Sequence, residues 1–199
     1  MARKTKYRLS FGVIPLAVSK SLILLTLYNE LKNWDKVIRE SIEKNVLQYN
    51  STASSKRIST ELCIRLKSLD EEERDFYFEA DPNDRLVLSW IAVCRTYNFI
   101  GTFANTVLLD TFESSRKELT FAHHDFFYED QIQYYPELAN VSEKLRRKRR
   151  QVIFRMMEET GFLGKAQEIF PLFPSQSLIN LKDTTKQDLK RYVPGSYFF

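Results

Sequence analysis

The stretch from Arg85 to Tyr97 constrains this chain more than any other. At helical spacing it is apolar on almost every side, through Leu86, Val87, Leu88, Trp90, Ile91, Val93, Cys94 and Tyr97. A helix without a polar face belongs in the middle of a protein, wrapped by other elements. Asp81-Pro82, just ahead of it, is a helix-entry signal, because proline is tolerated in the first turn. Residues 100–112 continue the helical pattern, with Phe103, Val107 and Leu108 spaced for a core. Only five glycines and six prolines occur in 199 residues, which disfavours an all-β fold.

The flanking sequence supplies the wrapping. A helix is expected over 21–31, and Asn33 is placed to cap the next, whose stripe is Trp34, Val37, Ile38 and Ile42. After a polar turn at 45–53, Ser54 or Ser55 opens a third helix with Ile58, Leu62, Leu66 and Leu69 inward. Residues 70–84 hold eight acids against Arg74 alone, although the whole chain is +4. That stretch reads as a solvated helix or an intramolecular counter-charge. Thr120 caps a helix through Phe121, Phe127, Tyr128 and Ile132, closed by Pro136. Asn140 is a candidate cap for a helix over 141–160, with Gly161 as its stop. Pro171 and Pro174 keep 169–174 extended. A short strand at 178–181 and a last helix over 184–192 follow, and residues 7–13 read as an extended arm. The fold class is mainly α, a compact multi-helix protein. Its regions are 1–84, a central buried pair at 85–118, and 119–199.

Six cations fall within seven residues: Lys144, Arg146, Arg147, Lys148, Arg149 and Arg150. Neighbouring like charges on a helix repel by a few tenths of a kcal/mol per pair. A sequence that tolerates this points to an anionic partner, and the nucleic-acid backbone is the commonest polyanion. Arginine is also the best bidentate partner for phosphate and guanine. The bland alternative is a solvated face that maintains solubility. The basic helix, the helix before it and the extended stretch after it together resemble a winged helix, with 169–174 as candidate wing. A second helix-turn-helix-like pair spans 34–69, where Lys56, Arg57, Ser59 and Thr60 stand near the start of the second helix and would meet phosphates and base edges. The plain reading of that pair is a helical hairpin with polar caps.

Other chemistries are poorly supplied. Cys63 and Cys94 lie inside apolar patterns and have no zinc-ligand spacing, which suits a reducing cytoplasm. Adjacent His123 and His124 point to different sides of a helix and cannot chelate one ion together. There is no glycine-rich phosphate loop, nucleophile elbow or HExxH. No cofactor, metal or enzyme activity is expected, and no segment reads as a membrane span. The expected partner is double-stranded DNA. Two alternatives stay open: a protein-interaction scaffold whose basic helix meets an acidic protein, and an RNA-binding helical protein. The C-terminal Tyr197-Phe198-Phe199 fits docking on the body or on another protein.

Taken together, Tyr7-Arg-Leu-Ser-Phe11, Trp34-Asp-Lys-Val37, Asn45, Ala53-Ser-Ser-Lys-Arg-Ile58, Arg65-Leu-Lys-Ser-Leu69, the apolar helix at 86–97 and Met156-Met-Glu-Glu-Thr-Gly-Phe-Leu163 resemble the BrxA family of bacteriophage-exclusion (BREX) defence systems. The resemblance covers about residues 7–181. It implies a small, all-α, cytoplasmic DNA-binding accessory protein with two positively charged helix-turn-helix-like units, placed here at 34–69 and 121–163. It also implies partners among the other defence proteins, including a methyltransferase and ATPases.

Overall fold

The computed structural model describes residue 8 and residues 10–196, apart from the side chains of 11 and 13. Tyr7 and the aromatic triplet 197–199 lie outside the described residues. A 3-10 turn at Ser10–Val13 replaces the expected extended arm. Among the described residues eleven α-helices follow: α1 (Val18–Leu31), α2 (Trp34–Glu43), α3 (Thr52–Lys67), α4 (Glu71–Glu79), α5 (Pro82–Thr96), α6 (Asn98–Phe103), α7 (Leu109–Glu113), α8 (Phe121–Tyr134), α9 (Glu143–Thr160), α10 (Gln176–Ile179) and α11 (Asp183–Tyr192). A π turn at Ala104–Leu108 joins α6 to α7, and a 3-10 turn at Pro136–Asn140 precedes α9.

Local chemistry sets most of these ends. The Asn33 side chain accepts from the N–H groups of Asp35 and Lys36, both at 3.0 Å, satisfying donors that the helix leaves open. Asp70 and Glu73 form a capping box at the start of α4. Asp81 caps α5 with Pro82 in its first turn. Gly161, at φ 95°, ends α9 in a left-handed conformation that favours glycine. Three expectations shift. Helix α3 starts at Thr52 because Ser51, rather than Ser54 or Ser55, caps it. Helix α9 starts at Glu143 because Asn140 is held in the 3-10 turn, with Ser142 at the cap position. The expected strand at 178–181 is instead part of α10 and its end, because the Ser175 hydroxyl accepts from the Leu178 N–H and nucleates a helical turn.

Helix α5 is the centre, as its all-round apolarity requires. Val87, Leu88, Trp90, Ile91 and Val93 have no exposed surface. Burying each such side chain is worth about 1.5–3 kcal/mol, so packing outweighs surface ion pairs in fixing α5 there. Trp90 donates its indole N–H to the Tyr192 carbonyl at 2.8 Å, anchoring α11.

The packing around α5 also fixes two helix directions. On the α3 side, Tyr97 at the end of α5 bonds Glu61 and Arg65, whereas Ala92 bonds Ser68, just beyond α3. On the α9 side, Phe99 packs on Tyr128, which stacks under Arg146 near the start of α9. Trp90 instead meets Phe162, just beyond the end of α9. Helices α3 and α9 therefore both run opposite to α5, and their N-termini lie at the same end of the molecule.

The acidic stretch is a structural staple. Glu73 is fully buried and accepts from Arg95 at 2.6 and 2.7 Å and from Thr185 at 2.5 Å, and Arg95 also bonds Asp188 at 2.5 Å. Burial opposes ionisation of Glu73, but the bonds from Arg95 and Thr185 outweigh it and hold the carboxyl below its ordinary value. Asp70 pairs with Lys182, and buried Asp84 accepts from the Ser175 N–H at 3.0 Å. The counter-charge expected at 70–84 thus serves the C-terminal helices.

Among the described residues, extended pairing is limited to two isolated bridges, Glu118 with Glu168 and Leu163 with Ile169. Residues 162–170 fold back through a tight turn (Phe170 N–H to Phe162 O, 2.9 Å) and lean on 117–119 (Ile169 N–H to Lys117 O, 2.7 Å).

Candidate nucleic-acid interface

A helix turns 100° per residue, so the cations of 144–150 cannot share one face. The buried residues of α9 are Ile153, Phe154, Met156, Met157 and Thr160, with Ile153, Met156, Met157 and Thr160 forming its central stripe. Stepping back from it by threes and fours reaches Arg150, Arg149 and Arg146. All three are half-buried. Arg146 donates to Glu129 of α8 at 2.6 Å, with its guanidinium 4.0 Å from the Tyr128 ring centroid. Arg150 pairs with Asp125 of α8 and lies 4.4 Å from the Phe121 ring. Arg149 packs so closely on Gly12 that a Cβ there would stand 2.9 Å from its Cγ, and burial lowers its pKa. These arginines hold α9 against α8 and against the N-terminal segment.

The opposite face is exposed. It carries Lys144, Arg147, Lys148, Gln151 and Arg155. Lys144 and Lys148 pair with no carboxylate among the described residues. Arg147 pairs with Glu143 and Arg155 with Glu159, each one helical turn away, and both arginine side chains are about two-thirds exposed (66% and 68%). The Arg147–Glu143 pair is exposed on both sides and worth about 0–1 kcal/mol, so a phosphate can replace Glu143 at small cost, whereas Glu159 is half-buried and also accepts from the Leu16 N–H. Arg155 escaped the sequence reading because it lies outside the dense run. Its position seven residues after Lys148 was the available signal.

On α3, Lys56 and Arg57 are exposed and Thr60 is half-buried. Ser59 is the correction. It is fully buried, because it shares the face of Leu62, Cys63 and Leu66, and its hydroxyl has no hydrogen-bond partner. It cannot reach a DNA groove.

The N-terminal segment lies between the two basic helices. Arg8 stands 3.6 Å from Glu61, and the Ser10 hydroxyl donates to the same carboxylate at 2.8 Å. Gly12 meets Arg149. Buried Arg65 donates to the carbonyls of Ile14 (2.8 Å) and Pro15 (2.5 Å), and the Leu16 N–H donates to Glu159 at 3.0 Å. The segment therefore advances along α3 from 61 to 65 and along α9 from 149 to 159. This independently places both helix starts at one end.

Other candidate chemistry is structural. The His123 ring accepts from the Thr120 N–H at 3.0 Å, and His124 is buried against Phe99, Phe103 and Tyr128. Burial lowers the His124 pKa, although Asp125, 3.1 Å away, opposes the shift. Among the described residues no three His, Cys, Asp or Glu side chains converge to hold a metal ion. The groove of about 600 Å³ between α8 and α9 is lined by Asp125, Glu129, Glu143 and three arginines, without the apolar walls usual for small molecules. No single helix among the described residues is long and apolar enough to cross a membrane.

The BrxA family model matches residues 5–183. The BREX protein BrxA of Bacillus cereus (strain H3081.97) is 23% identical over 163 residues, which is 82% of each chain. The crystal structure of an uncharacterized protein from Magnetospirillum magneticum superposes with a TM-score of 0.83 at 21% identity, covering 96% of this chain and 99% of that one. The structural likeness extends to the fold alone.

Proposed function

The chain belongs to the BrxA family, and on that premise we propose that it is a DNA-binding accessory protein of a BREX phage-defence system. Family membership gives the defence-associated role. The DNA-binding reading rests on one observation: the outward stripe of α9 presents Lys144, Arg147, Lys148 and Arg155 on a helix pinned from behind by Arg146, Arg149 and Arg150. The inward arginines supply rigidity, and the outward cations meet phosphates.

Helix α8, helix α9 and the folded-back turn at 162–170, with 117–119 beside it, follow the chain order of a winged helix-turn-helix. Distance decides what the turn can contribute. Lys144 and Lys148 lie 13 to 17 residues before Gly161, or about 20–26 Å along the helix. A turn this short cannot reach their end, so the outward stripe of α9 itself makes the contact. The stripe offers few groups for base edges, Lys144, Arg147, Lys148, Gln151 and Arg155, which leaves sequence preference weak. The protein does no chemistry on DNA in this reading. Its protein partners are other members of the same system, a methyltransferase and ATPases among them.

Neutralising four phosphates gives a slope of log affinity against log salt of about −3.6. K144Q/R147Q/K148Q/R155Q should weaken binding to a 16-bp duplex more than tenfold at low salt and flatten that slope. A folded variant that binds as the wild type does would end the reading. Equal affinity for a matched RNA duplex at the same salt would replace DNA with a general A-form or B-form polyanion.

A further inference from the structure

We propose that the exposed aromatic ridge at 169–174, together with Tyr197-Phe198-Phe199, is the surface on which two copies of this chain associate face to face. This association is independent of the DNA-binding reading of α9.

The ridge is built to present aromatics. Phe170 and Phe173 each precede a proline, which drives both into extended backbone, and Pro171 and Pro174 have their own φ fixed by the ring. Such backbone winds with about three residues per turn, so residues three apart share an edge. Burial follows that period. Ile169 is buried and Leu172 packs on the core along the inner edge, whereas Phe170 and Phe173 are 50% and 67% exposed along the outer one. The N–H groups of Ile169, Phe170 and Leu172 donate to the carbonyls of Lys117, Phe162 and Pro194 at 2.7, 2.9 and 2.9 Å. A backbone held in this way has little freedom left to lose on binding.

The path of the chain and the charge around the ridge point to a second copy as the occupant. Gly195 packs on Pro171, where a Cβ would stand 2.6 Å from the Pro171 Cβ. The three residues after Ser196 span at most about 10 Å, which keeps Tyr197, Phe198 and Phe199 within reach of the ridge. The ridge pair alone offers about 200–300 Å², and three more aromatics bring this to about 600–1,000 Å² per copy. A stable interface takes about 800 Å² from each partner, so the ridge alone falls short and the combined surface suffices. A Cβ at Gly164 would stand 2.9 Å from the Phe170 ring and 3.1 Å from the Glu168 carboxylate, so that carboxylate flanks the ridge. Lys165 and Glu168 are both exposed, and neither has an ion-pair partner among the described residues. Opposite charges beside one apolar strip are self-complementary, as a twofold interface demands, with Lys165 of one copy meeting Glu168 of the other. The ridge follows Gly161, at the far end of α9 from Lys144 and Lys148, and leaves their contacts unchanged.

Sedimentation velocity on the full chain, from about 1 to 200 μM, tests this. The wild type should shift from one chain toward two as concentration rises. F170S/F173S and a chain ended at Ser196 should each weaken association roughly tenfold or more, with thermal melting confirming that both are folded. K165E and E168K should each weaken it several-fold, and an equal mixture of the two should restore it, because each copy then meets an opposite charge. K144Q/R147Q/K148Q should associate as the wild type does. A wild type that stays a single chain throughout would overturn the proposal, and so would undiminished association in F170S/F173S. A mixture of K165E and E168K that associates no more tightly than either alone would overturn the twofold arrangement.

Discussion

Arg150 and Arg147 are three residues apart on α9 and are expected to behave in opposite ways. Arg150 is 16% exposed, pairs with Asp125 of α8 and stacks on Phe121. Asp125 is 46% exposed, so solvent screens the pair to about 0.5–1 kcal/mol. The stacked guanidinium and the packed stem add roughly as much again. R150Q should therefore cost about 1–2 kcal/mol, which in a chain of this size lowers Tm by about 2–8 °C. Its DNA salt slope should stay at the wild-type value. Arg147 is 66% exposed and its partner Glu143 is 74% exposed. R147Q should leave stability within about 0.5 kcal/mol and reduce the salt slope by about 0.9. Thermal melting and fluorescence anisotropy on a labelled duplex, from 50 to 200 mM salt, separate the two effects. The division of α9 into a holding face and a binding face is refuted if R150Q melts like the wild type yet loses a unit of slope. It is equally refuted if R147Q lowers Tm and leaves the slope alone.

Three further outcomes follow from buried groups. E73Q removes the charge that holds Arg95 and should cost about 3 kcal/mol, read as a Tm drop of roughly 6–12 °C. Because the Glu73 carboxyl is held below its ordinary value, its contribution is complete above the usual carboxylate range and is lost as pH falls through the depressed value. The Tm gap between wild type and E73Q should narrow below about pH 4, and a constant gap would show that the pair is not ionic. His124 is depressed from 6.5 by burial, so the unfolded chain takes up its proton first. Stability should fall as pH drops below about 6.5, and H124Q should show a shallower decline between pH 7 and 5.5. S59A removes a buried hydroxyl that has no partner, so it should be neutral or stabilising by up to about 1 kcal/mol and leave DNA affinity unchanged. Weakened binding in S59A would reverse the exclusion of Ser59 from the interface.

Features that depend on a few neighbouring residues were legible in the sequence. Asn33, Asp81-Pro82 and Gly161 act where spacing placed them, since a cap needs only its own helix end. The central place of α5 was legible for the same reason: no other location accepts a helix with apolar residues all round. The sequence reading treated the 144–150 run as one binding surface. Its division was written in the period, because Arg146, Arg149 and Arg150 extend the stripe of Ile153, Met156 and Met157. What concealed it was that Asp125 and Glu129, the carboxylates that receive Arg150 and Arg146, belong to α8, a partnership that spacing within α9 cannot reveal. Ser59 was misplaced by residue type, since a serine near a helix start suggests a surface even when its neighbours at three and four residues are Leu62 and Cys63. The strand expected at 178–181 failed because three apolar residues fit a short helix equally well once Ser175 caps it. The common alignment of α3 and α9 depends on tertiary contacts and had no local signal.

Site-specific photo-cross-linking tests the central claim most directly. A photoreactive residue placed at Gln151, in the middle of the outward α9 stripe, should cross-link efficiently to a labelled duplex. The same residue placed at Glu72, on the acidic α4, should not. Equal yields from both positions, or transfer from Glu72 alone, would mean that DNA does not meet this protein along α9.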